Sequence, residues 1–237
     1  MQVHVILPAA GLGTRMPVPG VSAKQFLALG GVPILLRSVQ AFAAIDRVAS
    51  ITLALRSAEQ DQVNALLQEH GLTGRVRIAI GGDHRQDSVA NALRSLSAAP
   101  DDVVLVHDAV RPLIDAATID RTIDAILKHG AAIVGLPAVD TIKQVERTAD
   151  GAIITATIPR ERIVQAQTPQ GARFADLHRA FAEADADSFQ GTDEASLLER
   201  AGLTVAVVPG SAANFKITQP GDLELAEFYL RGRAVSA

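Results

Sequence analysis

Five short apolar runs, residues 3–7, 50–55, 76–80, 102–106 and 132–136, are separated by segments whose apolar residues fall at helical spacing. Val3, Val5, Ile6 and Leu7 read as a buried parallel strand, the fourth run is very apolar, and the segments between the runs are long enough for crossover helices. That alternation confines the chain to an α/β architecture, a mostly parallel sheet with helices on both faces. Local signals agree. Pro8 has no N–H to donate and stops the first strand, residues 32–42 carry the first helical pattern, Ser57 and Gln60 suit a capping box for a helix ended by Gly71, and Gly130 closes a helix over 116–128.

The pattern changes after residue 139. Residues 142–145 and 153–158 are β-rich and flank Thr148-Ala149-Asp150-Gly151, a turn sequence, so a hairpin lies within 139–160. A doubly wound sheet has little room for it, and we read it as a projecting β-arm. Ile153, Ile154 and Ile158 on such an arm must be buried somewhere; a second copy of the chain is the simplest cover, and a hairpin folded back on its own domain is the alternative. Helical character returns with Phe174, Leu177 and Phe181, and again at Thr192-Asp193-Glu194. A strand over 205–208, an extended piece over 214–217 and a closing helix over 220–229, with Thr218 as N-cap, follow. No linker divides the chain, so residues 1–237 are expected to form one domain, and no second enzyme is expected after the closing helix.

A length of 237 residues, 48% of them hydrophobic, supplies a sizeable core, and a net charge of −4 disfavours a general binder of nucleic acid or anionic membrane. Cations near the loops are therefore read as serving small anionic substrates. With no cysteine, disulfides, thiolate metal sites and a cysteine nucleophile are excluded. The N-terminus has no basic leader with an apolar core, and no apolar run approaches the roughly 18 residues that span a bilayer. A cytoplasmic location is the default expectation.

Ligands of open parallel sheets bind beyond the carboxyl ends of the strands. The loop after the first run, Ala9-Ala10-Gly11-Leu12-Gly13, has almost no side chains, so its backbone N–H groups can approach phosphate oxygens while Arg15 and Lys24 supply charge. It is neither a dinucleotide fingerprint, having Met16 at the third glycine position and Arg56 after the second strand, nor a P-loop. Later loops at the same end hold Gly82, Asp83, Arg85 and Ser88, then Asp108 and Arg111, then Asp140 and Thr141. Asp108 suits a Mg²⁺ ion bridging triphosphate oxygens, because Mg²⁺ takes one or two carboxylates plus phosphates; the alternative is a loop carboxylate paired with Arg111. Lys216 either sits exposed on an edge or points into the cleft, and His107 is read as structural.

The loop Ala9-Ala10-Gly11-x-Gly13-Thr14-Arg15 resembles the signature of nucleotidyltransferases. It is followed by Lys24-Gln25, Gly81-Gly82-Asp83-x-Arg85-x-Asp87-Ser88-Val89, Val106-His107-Asp108-Ala109-x-Arg111-Pro112, Asp140-Thr141-Ile142-Lys143, Thr168-Pro169-Gln170, Thr192-Asp193-Glu194-Ala195 and Asn214-x-Lys216-Ile217-Thr218. In this order, over nearly the whole chain, the set resembles the 2-C-methyl-D-erythritol 4-phosphate cytidylyltransferase family of the non-mevalonate isoprenoid pathway.

The resemblance implies a Rossmann-like nucleotidyltransferase fold, with a β-arm over 139–160 that crosses to the partner of a homodimer. It implies transfer of CMP from CTP to methylerythritol phosphate with Mg²⁺ and release of pyrophosphate. Ala10, Gly11, Gly13, Gly82, Asp83 and Ser88 would hold CTP. Arg15, Lys24 and Lys216 would surround the triphosphate, with Asp108 near the metal and the sugar phosphate. Arg111 and Thr192, with Thr141, Arg160 and Thr168 of the partner's arm, would address the acceptor; which subunit supplies Thr168 stays open. The chain departs from the family pattern in having Ala23 before Lys24 and a lengthened segment around Pro17-Val18-Pro19-Gly20-Val21. A ribitol 5-phosphate cytidylyltransferase and a non-catalytic nucleotide-binding protein are the rival readings.

Overall fold

In the computed structural model, which describes residues 1–11 and 23–235, β1 (Val3–Pro8) is the strand on which the sheet is organised. It is followed by a small hairpin of β2 (Ala28–Leu29) and β3 (Val32–Pro33), then α1 (Ile34–Ala43), β4 (Val48–Leu55), α2 (Gln60–Glu69), β5 (Val76–Ile80) and α3 (Arg85–Ser95). Next come β6 (Val103–Val106), α4 (Ala116–His129), β7 (Ala131–Pro137), β8 (Ile142–Thr148), β9 (Gly151–Ile158) and β10 (Val164–Arg173). The chain closes with α5 (Phe174–Ala186), α6 (Glu194–Arg200), β11 (Val205–Pro209) and α7 (Pro220–Val235). Among the described residues no helix is long and apolar enough to cross a membrane.

The central seven-stranded sheet has the order β11-β7-β10-β6-β1-β4-β5. β1 pairs in parallel with β4 and β6, β4 with β5, and β7 with β11, whereas β10 runs antiparallel between β6 and β7. Strand order therefore reverses at β1: β4 and β5 lie on one side and β6 on the other. Side-chain alternation along β1 feeds two cores. Val3, Val5 and Leu7 pack with Leu36 and Phe42 of α1, Val63 of α2 and Ile123 of α4, while Ile6 packs with Val89 of α3, Leu177 and Phe181 of α5 and Leu198 of α6. A third cluster joins α7, through Ala226, to Leu29, Ile34 and Ile217.

Several local expectations change. The strand β10 was not foreseen, because Pro169 and the glutamines Gln165, Gln167 and Gln170 break its pattern; its pairing with β7 shifts register between Gln167 and Gln170. No capping box forms at Ser57. Ser57–Glu59 is a 3₁₀ turn without a side-chain cap, and Arg56 instead pairs with the buried Glu59. α1 starts at Ile34 rather than at 32, because Val32 and Pro33 pair with Ala28 and Leu29 across Gly30 and Gly31, whose positive φ values of 55° and 76° make the turn. The extended piece over 214–217 pairs with no strand: Ala212–Asn214 is a 3₁₀ turn, Phe215 is extended, and the Ile217 N–H donates to the Val110 carbonyl at 3.0 Å. The Thr218 cap is reversed, since the Asp222 carboxylate accepts from the Thr218 N–H at 2.7 Å and from its hydroxyl at 2.9 Å.

β8 and β9 form a two-stranded sheet of their own, joined by the Ala149-Asp150 turn. It is exposed over nearly its whole length, with Ile153 62% and Ile154 60% accessible, so the hairpin is not folded back onto the sheet of its own chain.

Candidate active site

Where the strand order reverses, the carboxyl ends of β1 and β6 diverge and leave a crevice. A cavity of about 290 Å³ opens there, lined by Ala10 and Gly11 after β1, by Gly82, Asp83 and Ser88 around the start of α3, and by Lys24, Asp108 and Lys216. Its walls depend on close backbone approach. A Cβ on Gly81 would lie 2.3 Å from the Ala10 Cβ, and one on Gly82 would lie 2.3 Å from the Asp87 Cβ. Ser88 is buried, and its hydroxyl accepts from the Gly82 N–H at 3.0 Å and donates to the His84 carbonyl at 3.0 Å, which fixes the turn that presents Gly82 and the exposed Asp83. Gln25, also buried, donates to the Ala9 carbonyl at 2.7 Å and ties the Lys24 turn to the end of β1. The Lys24 ammonium donates to the Ile217 carbonyl at 3.1 Å.

A second cavity, of about 220 Å³, adjoins the first and is bordered by Arg111, Gln167, Thr168, Thr192 and Asp193. Arg85, Asp108 and Lys216 line both. Asp108 is the hub. Arg85 Nε donates to its Oδ1 at 3.1 Å, while Lys216 Nζ at 3.0 Å and Arg111 Nε at 3.4 Å approach Oδ2. Burial alone would raise its pKa, but Arg85, Lys216 and Arg111 outweigh burial and hold the carboxyl well below the usual range. Arg85 also grips Glu194, which is 1% exposed, through both terminal nitrogens at 2.7 and 2.9 Å.

A hydrogen-bond chain runs behind Asp108. Its N–H donates to the Thr168 hydroxyl at 3.0 Å, and that hydroxyl lies 3.0 Å from His107 Nδ1. His107 Nε2 faces the Arg111 carbonyl at 3.0 Å, so Nε2 carries the proton and Nδ1 accepts from Thr168. Burial pushes the His107 pKa down to about 4 and keeps the ring neutral.

The sequence-predicted residues thus fall into three groups. Ala10, Gly11, Lys24, Gly82, Asp83, Ser88, Asp108, Arg111, Thr168, Thr192 and Lys216 line the two adjoining cavities. Thr168 belongs to β10 of the same chain, beside its own Asp108. Thr141 and Arg160 are exposed, both at the base of the hairpin where Ile142 pairs with Ile158, and border neither cavity; Arg160 donates to the Val139 carbonyl at 2.6 Å. Gly13 and Arg15, with the lengthened segment at Pro17-Val18-Pro19-Gly20-Val21, lie outside the described residues. The sequence gives no sign of the role of Glu194 or of the fork of Arg85; only the burial and pairing of the two reveal them.

Among the described residues no group of three or more histidine, aspartate or glutamate side chains gathers as a ready-made metal centre. Asp108 nevertheless fits Mg²⁺ of the kind that relies on one carboxylate and phosphate oxygens, since it is held ionised at the wall shared by both cavities.

Comparison with known proteins agrees with this geometry. Residues 3–232 match the family model described as "IspD: 2-C-methyl-D-erythritol 4-phosphate cytidylyltransferase". The 2-C-methyl-D-erythritol 4-phosphate cytidylyltransferase of Acidobacterium capsulatum is 63% identical over 237 residues, covering 99% of each chain. The crystal structure of the enzyme of that name from Francisella tularensis superposes with a TM-score of 0.81 at 33% identity, over 96% of this chain and 99% of that one. That of the 4-diphosphocytidyl-2C-methyl-D-erythritol synthase from Anaerococcus prevotii gives 0.82 at 28% identity, over 97% and 96%.

Proposed function

The chain belongs to the 2-C-methyl-D-erythritol 4-phosphate cytidylyltransferase family and carries out CTP-dependent cytidylyl transfer in isoprenoid precursor synthesis; from that premise we propose that the two cavities meeting at Asp108 are the nucleotide and acceptor halves of its active site. The observation that carries this reading is that Asp108, Arg85 and Lys216 are common to both, so a group passed from one half to the other passes beside them.

Ala10, Gly11, Gly82, Asp83 and Ser88 shape the nucleotide half and, together with Gly13, hold CTP. The small loop residues admit the base and phosphates close to the backbone, and Ser88 fixes the Gly82-Asp83 turn against the pyrimidine. Arg15, Lys24 and Lys216 are the catalytic cations. Arg111, Thr168 and Thr192 face the acceptor. Thr141 and Arg160 reach the acceptor of a second subunit through the exposed arm, which makes the enzyme a homodimer whose sites are shared. Its location is the cytoplasm.

A phosphate oxygen of methylerythritol phosphate attacks the α-phosphorus of CTP; the new P–O bond forms as the bond to the β-phosphate bridging oxygen breaks, and pyrophosphate leaves with that electron pair. The attacking oxygen is already anionic, so no general base is required, and the protein's work is alignment and charge neutralisation. Asp108 would hold Mg²⁺, which when bound neutralises triphosphate charge. Lys216 is kept beside Asp108 at the junction, and Lys24 is braced on the Ile217 carbonyl one residue away in sequence.

The test is pyrophosphate release with Mg²⁺, each of the four ribonucleoside triphosphates and a panel of polyol phosphates. CTP with methylerythritol phosphate is expected to give the highest kcat/KM. Equal turnover with a purine triphosphate, or a preference for ribitol 5-phosphate, would overturn the assignment of the two halves.

A further inference from the structure

Arg85 is the first residue of α3 and Glu194 the first of α6, so their pairing joins the starts of two helices that share one core beneath the sheet. A cation at the start of a helix is placed against the helix dipole, and a buried ion pair is in general no more stabilising than well-packed apolar residues. Stability of the fold is therefore a weak reason for an arginine there. Geometry supplies a better one. The guanidinium spends both terminal nitrogens on Glu194, at 2.7 and 2.9 Å, which fixes its plane, and its remaining Nε–H is thereby aimed at Asp108 Oδ1 at 3.1 Å. Asp108 in turn holds Lys216 at 3.0 Å through its other oxygen. A lysine at 85 has one point of charge and cannot satisfy a buried carboxylate bidentately while reaching a second.

We infer that Arg85 is a positioning residue for the transfer, anchored by Glu194, which sets the orientation of the Asp108 carboxylate and through it the place of the Lys216 ammonium where the two cavities meet. The inference rests on the assignment of these cavities to the reaction. It adds to that assignment a dyad outside the set of cations that face the phosphates.

The experiment uses the full chain with Arg85→Lys, Glu194→Gln and the double substitution, each compared with the wild type in steady-state pyrophosphate release and thermal melting. The wild-type arm separates the two ideas: if the wild type releases no pyrophosphate from CTP, the functional assignment fails. Where the wild type turns over, R85K is expected to lose about tenfold or more in kcat with less than about threefold change in KM for CTP, because the cation stays while its fork is lost. E194Q, which leaves Arg85 in place but unanchored, is expected to lose about three- to tenfold in kcat, and the double variant to be no worse than about twofold below R85K, because the two residues act as one unit. Wild-type kcat in folded R85K or folded E194Q overturns the proposal. So does a loss confined to KM, which would make Arg85 an ordinary binding residue, or losses that multiply in the double variant. If R85K does not fold, E194Q decides by the same criterion; failure of every variant to fold would assign the pair to the architecture and overturn it as well.

Discussion

His107 gives the fold a dependence on pH whose size follows from its surroundings. The ring is fully buried, edge-on to Phe42 at a centroid distance of 4.9 Å, with Nε2–H on the Arg111 carbonyl and Nδ1 accepting from Thr168. A second proton would have to enter at Nδ1, remove the acceptor that Thr168 uses, and place a charge near Arg111. Burial accordingly lowers the pKa from 6.5 to about 4. The unfolded chain then binds a proton below about pH 6.5 that the folded chain refuses, so stability is full above that pH and is lost as pH falls towards 4. At about 1.4 kcal/mol per pH unit the loss amounts to about 2 kcal/mol at pH 5 and about 3 kcal/mol at pH 4. Asp108, held ionised, acts in the same direction but in a lower range: its stabilisation is present above about pH 4 and declines only at lower pH, so it does not confuse a comparison between pH 7 and 5. The assay is urea unfolding followed by far-ultraviolet circular dichroism at fixed protein concentration, for the wild type and for His107→Gln, whose side chain does not titrate. The variant is expected to be less stable at pH 7, with the gap between the two proteins shrinking by about 2 kcal/mol at pH 5. Parallel pH dependences for the two proteins would refute the reasoning.

Lys24→Ala and Lys216→Ala are each expected to lower kcat by about 10²-fold while leaving the melting temperature within a few degrees of wild type; a folded variant with wild-type kcat would remove that lysine from the mechanism. Gly171→Ala is expected to cost about 3 kcal/mol or to prevent folding, because the new Cβ would lie 2.1 Å from the Val104 carbonyl oxygen in the middle of the sheet; an unchanged urea midpoint would count against the packing described there. If the arm completes the partner's site, mixing inactive Arg160→Ala and Lys216→Ala homodimers is expected to restore about one quarter of wild-type activity on random subunit exchange. A dead mixture whose heterodimers are seen by native mass spectrometry would return Arg160 to its own subunit.

The parts of the architecture that were legible were those where local chemistry and burial point the same way. The apolar runs at β1, β4, β6 and β7 stand out because both faces of these strands are largely covered, and the few polar residues within them, such as His4 and Thr52, are themselves buried; β5, at the sheet edge, is only partly covered and carries Arg77. The hairpin was legible from Asp150-Gly151, with the positive φ of 140° at Gly151 supplying the turn that the glycine advertised. β10 was not, because its central residues are chosen for what they hold rather than for strand propensity. Gln170 donates to Asp193 at 2.9 Å and accepts from the Ala195 N–H at 2.9 Å, which pins the start of α6, and Thr168 is committed to Asp108 and His107. Polar residues that serve the site erased the apolar pattern by which a strand is recognised.

The same division explains the site. Each charge in it was visible as a residue type, but 85, 108, 111, 194 and 216 are brought together only by the reversal of strand order at β1 and by the antiparallel strand that carries Thr168. Once together they constrain one another. Arg85, Arg111 and Lys216 against Asp108 and Glu194 leave one net positive charge in a chain whose total is −4. Three cations packed this closely repel unless carboxylates lie between them, and Asp108 sits between all three. The positive site is therefore gathered before any phosphate arrives, and the ordering of its side chains is met by folding and not by substrate binding, which is the condition under which fixed charges act most effectively on a transition state.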